Sequence, residues 1–201
     1  MSISEPSITE PPITKPPISE SPVSMPEIIE ARAAEPVKPG WYVVLLLLAL
    51  ALLAADQYTK WLAIQHLSYG VPVPVFEPWL NWTLVHNFGA AFSFLSQPGG
   101  MQHWFFVCIA AGAGIGLPIW ISRLKHDERV LSFALTLVWA GAVGNLIDRL
   151  RFRYVVDFVH VHWKDVWNYP VFNVADSAIT VGAVLLLSYE LRAWWRGRKD
   201  S

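Results

Sequence analysis

Charge is scarce in this sequence. Asp, Glu, Lys and Arg make up 15% of 201 residues, where soluble domains carry roughly 25%. So few ionic groups cannot clothe a water-facing surface, which excludes an ordinary soluble globule and points to lipid as solvent. The 16 acidic and 15 basic residues nearly cancel, to a net charge of −1, so no global basic field invites nucleic acid. Cysteine is all but missing. Cys108 is the one copy, which excludes an intrachain disulfide framework and a multi-cysteine metal site. It lies in the apolar run Trp104–Ile121 without a basic neighbour to activate it, and is expected to be a buried structural thiol. Among His66, His86, His103, His126, His160 and His162 no HExxH pattern occurs, and ligands for a zinc site are missing. Neither a metal nor a cofactor is expected.

What is abundant is apolar. Hydrophobic residues reach 54%, with 11 Trp, as expected where amphipathic rings sit at membrane boundaries. Nine of the fifteen prolines fall in residues 1–40, a low-complexity acidic stretch that predicts a disordered cytoplasmic tail rather than a signal peptide. Four apolar stretches follow. Trp41–Ala55 is uninterrupted and its pattern extends to Ile64. Trp104–Ile121 carries no charge, Val130–Ile147 holds only Ser132, Thr136 and Asn145 as polar side chains, and Ser177–Trp195 runs into a basic end at 196–201. A spanning helix needs about 20 residues, so residues 41–195 are expected to form four transmembrane helices.

Basic residues orient them. Ten lie on one side (Lys15, Arg32, Lys38, Arg123, Lys125, Arg129, Arg192, Arg196, Arg198, Lys199) and five on the other (Lys60, Arg149, Arg151, Arg153, Lys164). The bias puts both termini in the cytoplasm. The loops Ser68–Ser96 and Leu150–Asn173 are then outside. Arg151–Trp163 alternates like a strand, with Asp157, Val159 and Val161 on one face and Phe158, His160 and His162 on the other. Together with Leu80–Leu95 it predicts a small extracytoplasmic β element on an otherwise all-α membrane fold. Gly112 and Gly116 form a GxxxG pair, compatible with helix packing within the chain or with dimerisation; packing within the chain is the expectation.

Ionisable groups at membrane depth are expensive and therefore functional candidates. Asp56, Asp148, Asp157, Asp176, Lys60 and Arg149 all fall toward the outer side, with Asn81, Asn87, Asn145, Asn168 and Asn173. A proton-coupled transporter would string carboxylates across the membrane; here they gather at one end. Asp157, flanked by apolar residues, and Asp176, opening the fourth helix, are candidates for a carboxyl pair sharing one proton, able to activate water and polarise a carbonyl. Spacing alone leaves Asp176 open as a helix N-cap and Asp157 as an ion-pair partner of Arg149 or Arg151.

Five motifs occur in order: Asp56-Gln57-x-x-Lys60, Asn87-Phe88-Gly89-Ala90-Ala91-Phe92-Ser93, Gly141-Ala142-x-Gly144-Asn145-x-x-Asp148-Arg149, Val155-Val156-Asp157-Phe158 and Phe172-Asn173-x-Ala175-Asp176-Ser177. In these the chain resembles the lipoprotein signal peptidases (signal peptidase II). The resemblance covers most of residues 41–195. It implies a metal-free intramembrane aspartyl endopeptidase of the bacterial inner membrane, active near the periplasmic face. Its substrates would be diacylglyceryl-modified prolipoproteins, cut on the amino side of the lipidated cysteine, with membrane lipids as surroundings and a monomer as the working unit. Asp157 and Asp176 match the family's catalytic pair. Asn87, Asn145, Arg149 and Asn173 match substrate-binding or dyad-supporting positions, and Asp56 and Lys60 match residues that hold the site together. Contact and support are not separable at this point.

Overall fold

The computed structural model describes residues 39–89, 101–164 and 166–197. The tail reading for 1–38, the 90–95 part of the expected β element and the 198–201 end lie outside the described residues. Four long helices cross the chain: α1 (Pro39–His66), α2 (Met101–Ile121), α3 (Arg129–Phe152) and α4 (Val174–Gly197). Each is long and apolar enough to span a membrane. The 28 residues of α1 rise about 42 Å at 1.5 Å each, more than a hydrocarbon core of about 30 Å, so its polar last turns reach the interface. Pro39 opens α1, where its missing N–H is no loss, so the helix begins two residues before Trp41. Hydroxyls inside the helices are satisfied locally, as lipid requires: Thr136 donates to the Ser132 carbonyl and Ser188 to that of Val184.

Helix α3 is the axis of the bundle. Buried residues make up 56% of its apolar 18-residue stretch, against 17%, 11% and 17% for the corresponding stretches of α1, α2 and α4, and all three pack against it. At one end Leu124, Leu131 and Leu135 cluster with Leu117, Ile121, Leu186 and Tyr189. There Trp41 Nε1 donates to Ser132 Oγ at 2.9 Å. Glycines permit close approach between α3 and α4. A Cβ on Gly141 would collide with the Ala175 carbonyl of α4, and one on Gly182 would lie 2.8 Å from the Ala134 carbonyl.

The opposite end carries a four-stranded antiparallel sheet in the order β1 (Val73–Phe76), β2 (Leu80–Asn87), β3 (Val155–Trp163), β4 (Trp167–Asn168). The strand expected from Arg151 begins later, because α3 continues through Phe152. Arg153 ends it in the left-handed conformation (φ 69°), its N–H donating to the Arg149 carbonyl. Ala63, Leu84, Val156 and Phe158, with Leu67, Trp82, Phe152, Tyr154 and Val174 around them, seat the sheet on the ends of α1 and α3.

Two expectations for α2 are corrected. Cys108 is exposed on the protein surface, not buried. Among the described residues nothing lies within 4 Å of where a Cβ on Gly112 or Gly116 would sit, so the pair does not mediate packing there; α2 meets α3 at Gly114, whose carbonyl accepts from Trp139 Nε1 at 2.8 Å.

Candidate active site

Two backbone pairings bring distant residues together. Strand β2 sets Val85 opposite Asp157 and Asn87 opposite Val155. After β4 the chain returns along β3. Phe172 accepts from the N–H groups of Phe158 and Val159 and donates to the Val159 carbonyl, which delivers Asn173 beside Asp157. Asn173 then caps α4. Its Oδ1 accepts the Asp176 N–H at 2.8 Å while its own N–H donates to Asp176 Oδ2 at 3.3 Å, a reciprocal box of the kind that satisfies helix N-termini. Asp176 is therefore the third residue of the helix and Asn173 the N-cap, with the Asp176 carboxyl completing the cap.

The two carboxyls are joined through a chain of amides. Asp157 Oδ1 accepts from Asn173 Nδ2 at 2.7 Å and its Oδ2 from Asn87 Nδ2 at 3.0 Å. Asp176 Oδ1 accepts from Asn145 Nδ2 at 2.7 Å, and Asn173 Nδ2 also reaches Asn145 Oδ1 at 3.2 Å. Each of the four carboxyl oxygens thus accepts one N–H. Asp157 forms no ion pair with Arg149 or Arg151; the two ion pairs among the described residues belong to Lys60. Asp157 is 1% exposed. Burial first, and the Asp176 charge second, push its carboxyl up to about 7, against the downward pull of the Asn87 and Asn173 amides and Lys60.

Beneath the pair lies a second layer. Lys60 Nζ is 2.9 Å from Asp56 Oδ2, 2.9 Å from Asp148 Oδ2 and 3.0 Å from Asn145 Oδ1, so its three donors have three acceptors. Each carboxylate holds backbone with its other contacts. Asp56 Oδ1 accepts the Ala175 N–H at 2.9 Å, and Asp148 Oδ2 accepts the Val156 N–H at 3.0 Å. Ala175 precedes Asp176 and Val156 precedes Asp157. One ammonium therefore gathers two carboxylates, and each pins the residue just before a member of the pair. Gln57 Nε2 bridges Asp56 and Asp148, at 3.1 Å from each. Gly144 makes room, since a Cβ there would lie 2.7 Å from Asp56 Oδ2.

The eight residues that the resemblance matched to site positions, Asp157, Asp176, Asn87, Asn145, Arg149, Asn173, Asp56 and Lys60, fall in this one assembly. Arg149 lines a cleft of about 590 Å³ with Asn87, Phe88, Phe106 and Asp157, its guanidinium 4.9 Å over the Phe106 ring. Asp176 lines a second cleft of about 400 Å³ with Trp167, Tyr169, Phe172 and Thr180. The Pro170–Phe172 stretch divides the two. Asn81 and Asn168 stay outside the assembly, paired in the sheet with His160 and His162.

The sequence profile described as Signal peptidase (SPase) II matches residues 48–192, a span that includes every residue of the assembly. The chain belongs to the signal peptidase II family. Among curated family members, the lipoprotein signal peptidase of Acinetobacter baylyi is 50% identical over 145 residues, 71% of this chain and 80% of that one. That of Acinetobacter baumannii is 52% identical over 145 residues, covering 71% and 81%. A solved bacterial membrane enzyme shares the fold with a TM-score of 0.67 and 30% identity, over 79% of this chain and 97% of its own. Sequence reasoning about this peptidase missed the roles of Asp148 and Gln57. The signal was present: Asp148 is three residues from Asn145 and four from Gly144, on one helix face, and Gln57 adjoins Asp56.

Proposed function

We propose that Asp157 and Asp176 are the catalytic dyad with which this peptidase removes signal peptides from prolipoproteins. The observation that carries this reading is a pair of carboxyls held by two mutually bonded amides, Asn173 on Asp157 and Asn145 on Asp176, each carboxyl lining one of two adjoining clefts. The pair holds one proton. The ionised member takes a proton from water as the oxygen attacks the scissile carbonyl carbon, and the protonated member gives its proton to the carbonyl oxygen. Collapse of the resulting diol breaks the C–N bond. The amine leaves with the proton taken from water, and the dyad recovers its single proton from the diol hydroxyl.

Asn145 and Asn173 hold the dyad. Asn87 and Arg149 face the larger cleft, where their N–H groups meet substrate carbonyls that lipid would leave unsatisfied. Asp56 and Lys60, with Asp148 and Gln57, fix the frame. The substrate in this reading is a diacylglyceryl-modified prolipoprotein cut before its lipidated cysteine, by a monomer surrounded by membrane lipids. Support comes from the site's position where α3 and α4 meet the sheet, within reach of both an apolar signal helix and acyl chains in the bilayer. Incubation of purified protein with lipidated and unlipidated forms of one prolipoprotein tests it. Cleavage of the lipidated form alone is expected; equal cleavage of both would remove the lipid from the reading.

The protein is taken to sit in the inner membrane with both termini cytoplasmic and the dyad near the periplasmic face, on the basic-residue bias. Val166, 81% exposed between β3 and β4, is the reporter. Because Cys108 is itself exposed, the test is Val166→Cys in a Cys108→Ser background. An impermeant thiol reagent is expected to label it from the periplasm; labelling only after the inner membrane is opened reverses the orientation.

A further inference from the structure

Asn87 presents its Nδ2 to Asp157 because its Oδ1 is occupied elsewhere. That oxygen accepts the Gly89 N–H at 2.8 Å. An amide side chain is nearly symmetric in shape, and one turned over would aim oxygen lone pairs at a carboxylate. The Gly89 contact prevents this. Gly89 has φ +88°, a conformation glycine adopts without steric cost, and this sets the direction of the carbonyl that follows. The Gly89 carbonyl is held in turn by Nε2 of Gln102, in the first turn of α2. Gln102 is buried, and a Cβ on Gly89 would lie 2.8 Å from its Nε2 and collide with the Phe106 ring. The α2 helix thus closes over the 87–89 turn. The relay runs Gln102 to Gly89, Gly89 to Asn87, and Asn87 to Asp157. Phe106, one helical turn beyond Gln102, also carries the Arg149 guanidinium.

We propose that Gln102 is a positioning residue of the peptidase, which by holding the Gly89 carbonyl fixes the donor face of Asn87 on Asp157. The inference rests on the dyad reading above. Its effect is exerted through Asn87 and not through contact with substrate. Loss of the Gln102 donor frees the turn, the Asn87 amide samples other orientations, and the Asp157 carboxylate loses a donor that favours its charged form. The apparent pKa values of the dyad then move upward, never downward.

The test is a set of pH–rate profiles on full-length protein with a lipidated prolipoprotein, for wild type, Gln102→Leu, Asn87→Ala and the double variant. Gln102→Leu fills similar space without a donor. Its profile is expected to shift by about 0.5–1 pH unit toward higher pH, the scale of one weakened hydrogen bond to a charged group, with a lower kcat. In the Asn87→Ala background the same substitution is expected to add no shift, since residues acting through one another are not additive. If Gln102→Leu does not accumulate, Gln102→Met, which also lacks the donor, is measured in its place. Unmoved limbs in the single variant, or a shift that persists in full without the Asn87 amide, would overturn the proposal. Asp157→Asn run alongside separates the two claims. If it still cleaves, the dyad reading falls. If it is inactive while Gln102→Leu keeps the wild-type profile, only the role of Gln102 falls.

Discussion

Asp157→Asn and Asp176→Asn are each expected to abolish cleavage of a lipidated prolipoprotein while leaving a folded, inserted protein. Asparagine keeps the size of aspartate and an acceptor oxygen for Asn173 or Asn145, but it cannot take a proton from water or supply an acidic one. General acid–base groups contribute about 10²–10⁴-fold each. Groups that act as a unit fail together, so the double variant is expected to be hardly worse than either single one. Asp127→Asn is the control, because Asp127 lies in the short turn before α3 at the far end of the bundle. The pH dependence follows from burial. With the Asp157 carboxyl pushed up to about 7, its proton is present below that pH and lost above it. Activity is therefore expected to decline as pH rises through about 7, and to fall again in acid once both carboxyls are protonated, with both limbs belonging to the pair. Near-wild-type turnover by either dyad variant would end the assignment.

Lys60→Met is expected to have the largest effect on stability. Lys60 is 2% exposed and so is Asp56, with Asp148 at 1%. Removing the ammonium leaves two buried carboxylates facing each other across its former position, and breaking a buried ion pair by deleting one partner costs about 3–5 kcal/mol. The two like charges then repel, which weakens their hold on the Ala175 and Val156 N–H groups. Activity is expected to be lost with stability, because those two residues precede Asp176 and Asp157. Asp148→Asn is expected to be milder, since Lys60 keeps Asp56 at 2.9 Å and asparagine can still accept from Val156. Thermal unfolding in detergent ranks the variants. A Lys60→Met protein that melts with wild type would show that the ammonium does not hold the frame.

The helices were legible because lipid demands length and apolarity, and four runs met both conditions. Their facing was not. In water the periodicity of polar residues marks the outward side, whereas a lipid-facing side chain is as apolar as a buried one. For that reason Cys108 and the Gly112–Gly116 pair were expected inside the molecule and lie on its surface. The polar layer was legible for the opposite reason: each Asp, Asn or Lys at that depth requires a partner. Identifying the partners required the fold. The return of Pro170–Phe172 along β3 is a long-range pairing with no local signature, and it alone makes Asn173 both a helix cap and a donor to Asp157. The third acceptor of Lys60 and the reach of Gln57 likewise depend on how α1 and α3 cross.

Helix α3 comes third in the chain yet forms the axis of the bundle, and among the described residues α1 and α2 barely touch each other. A ribosome-bound chain that has delivered its first two helices to the bilayer therefore has no helix bundle to settle into. Asp56 and Lys60 can neutralise each other one turn apart on α1, which makes that waiting state tolerable in lipid, whereas Asp148 reaches Lys60 only when α3 docks. Assembly becomes an event timed by translation. The bundle cannot be fixed before α3 has left the ribosome, and the dyad can form only after α4 has been threaded, so the peptidase stays inert until its fourth helix is in place.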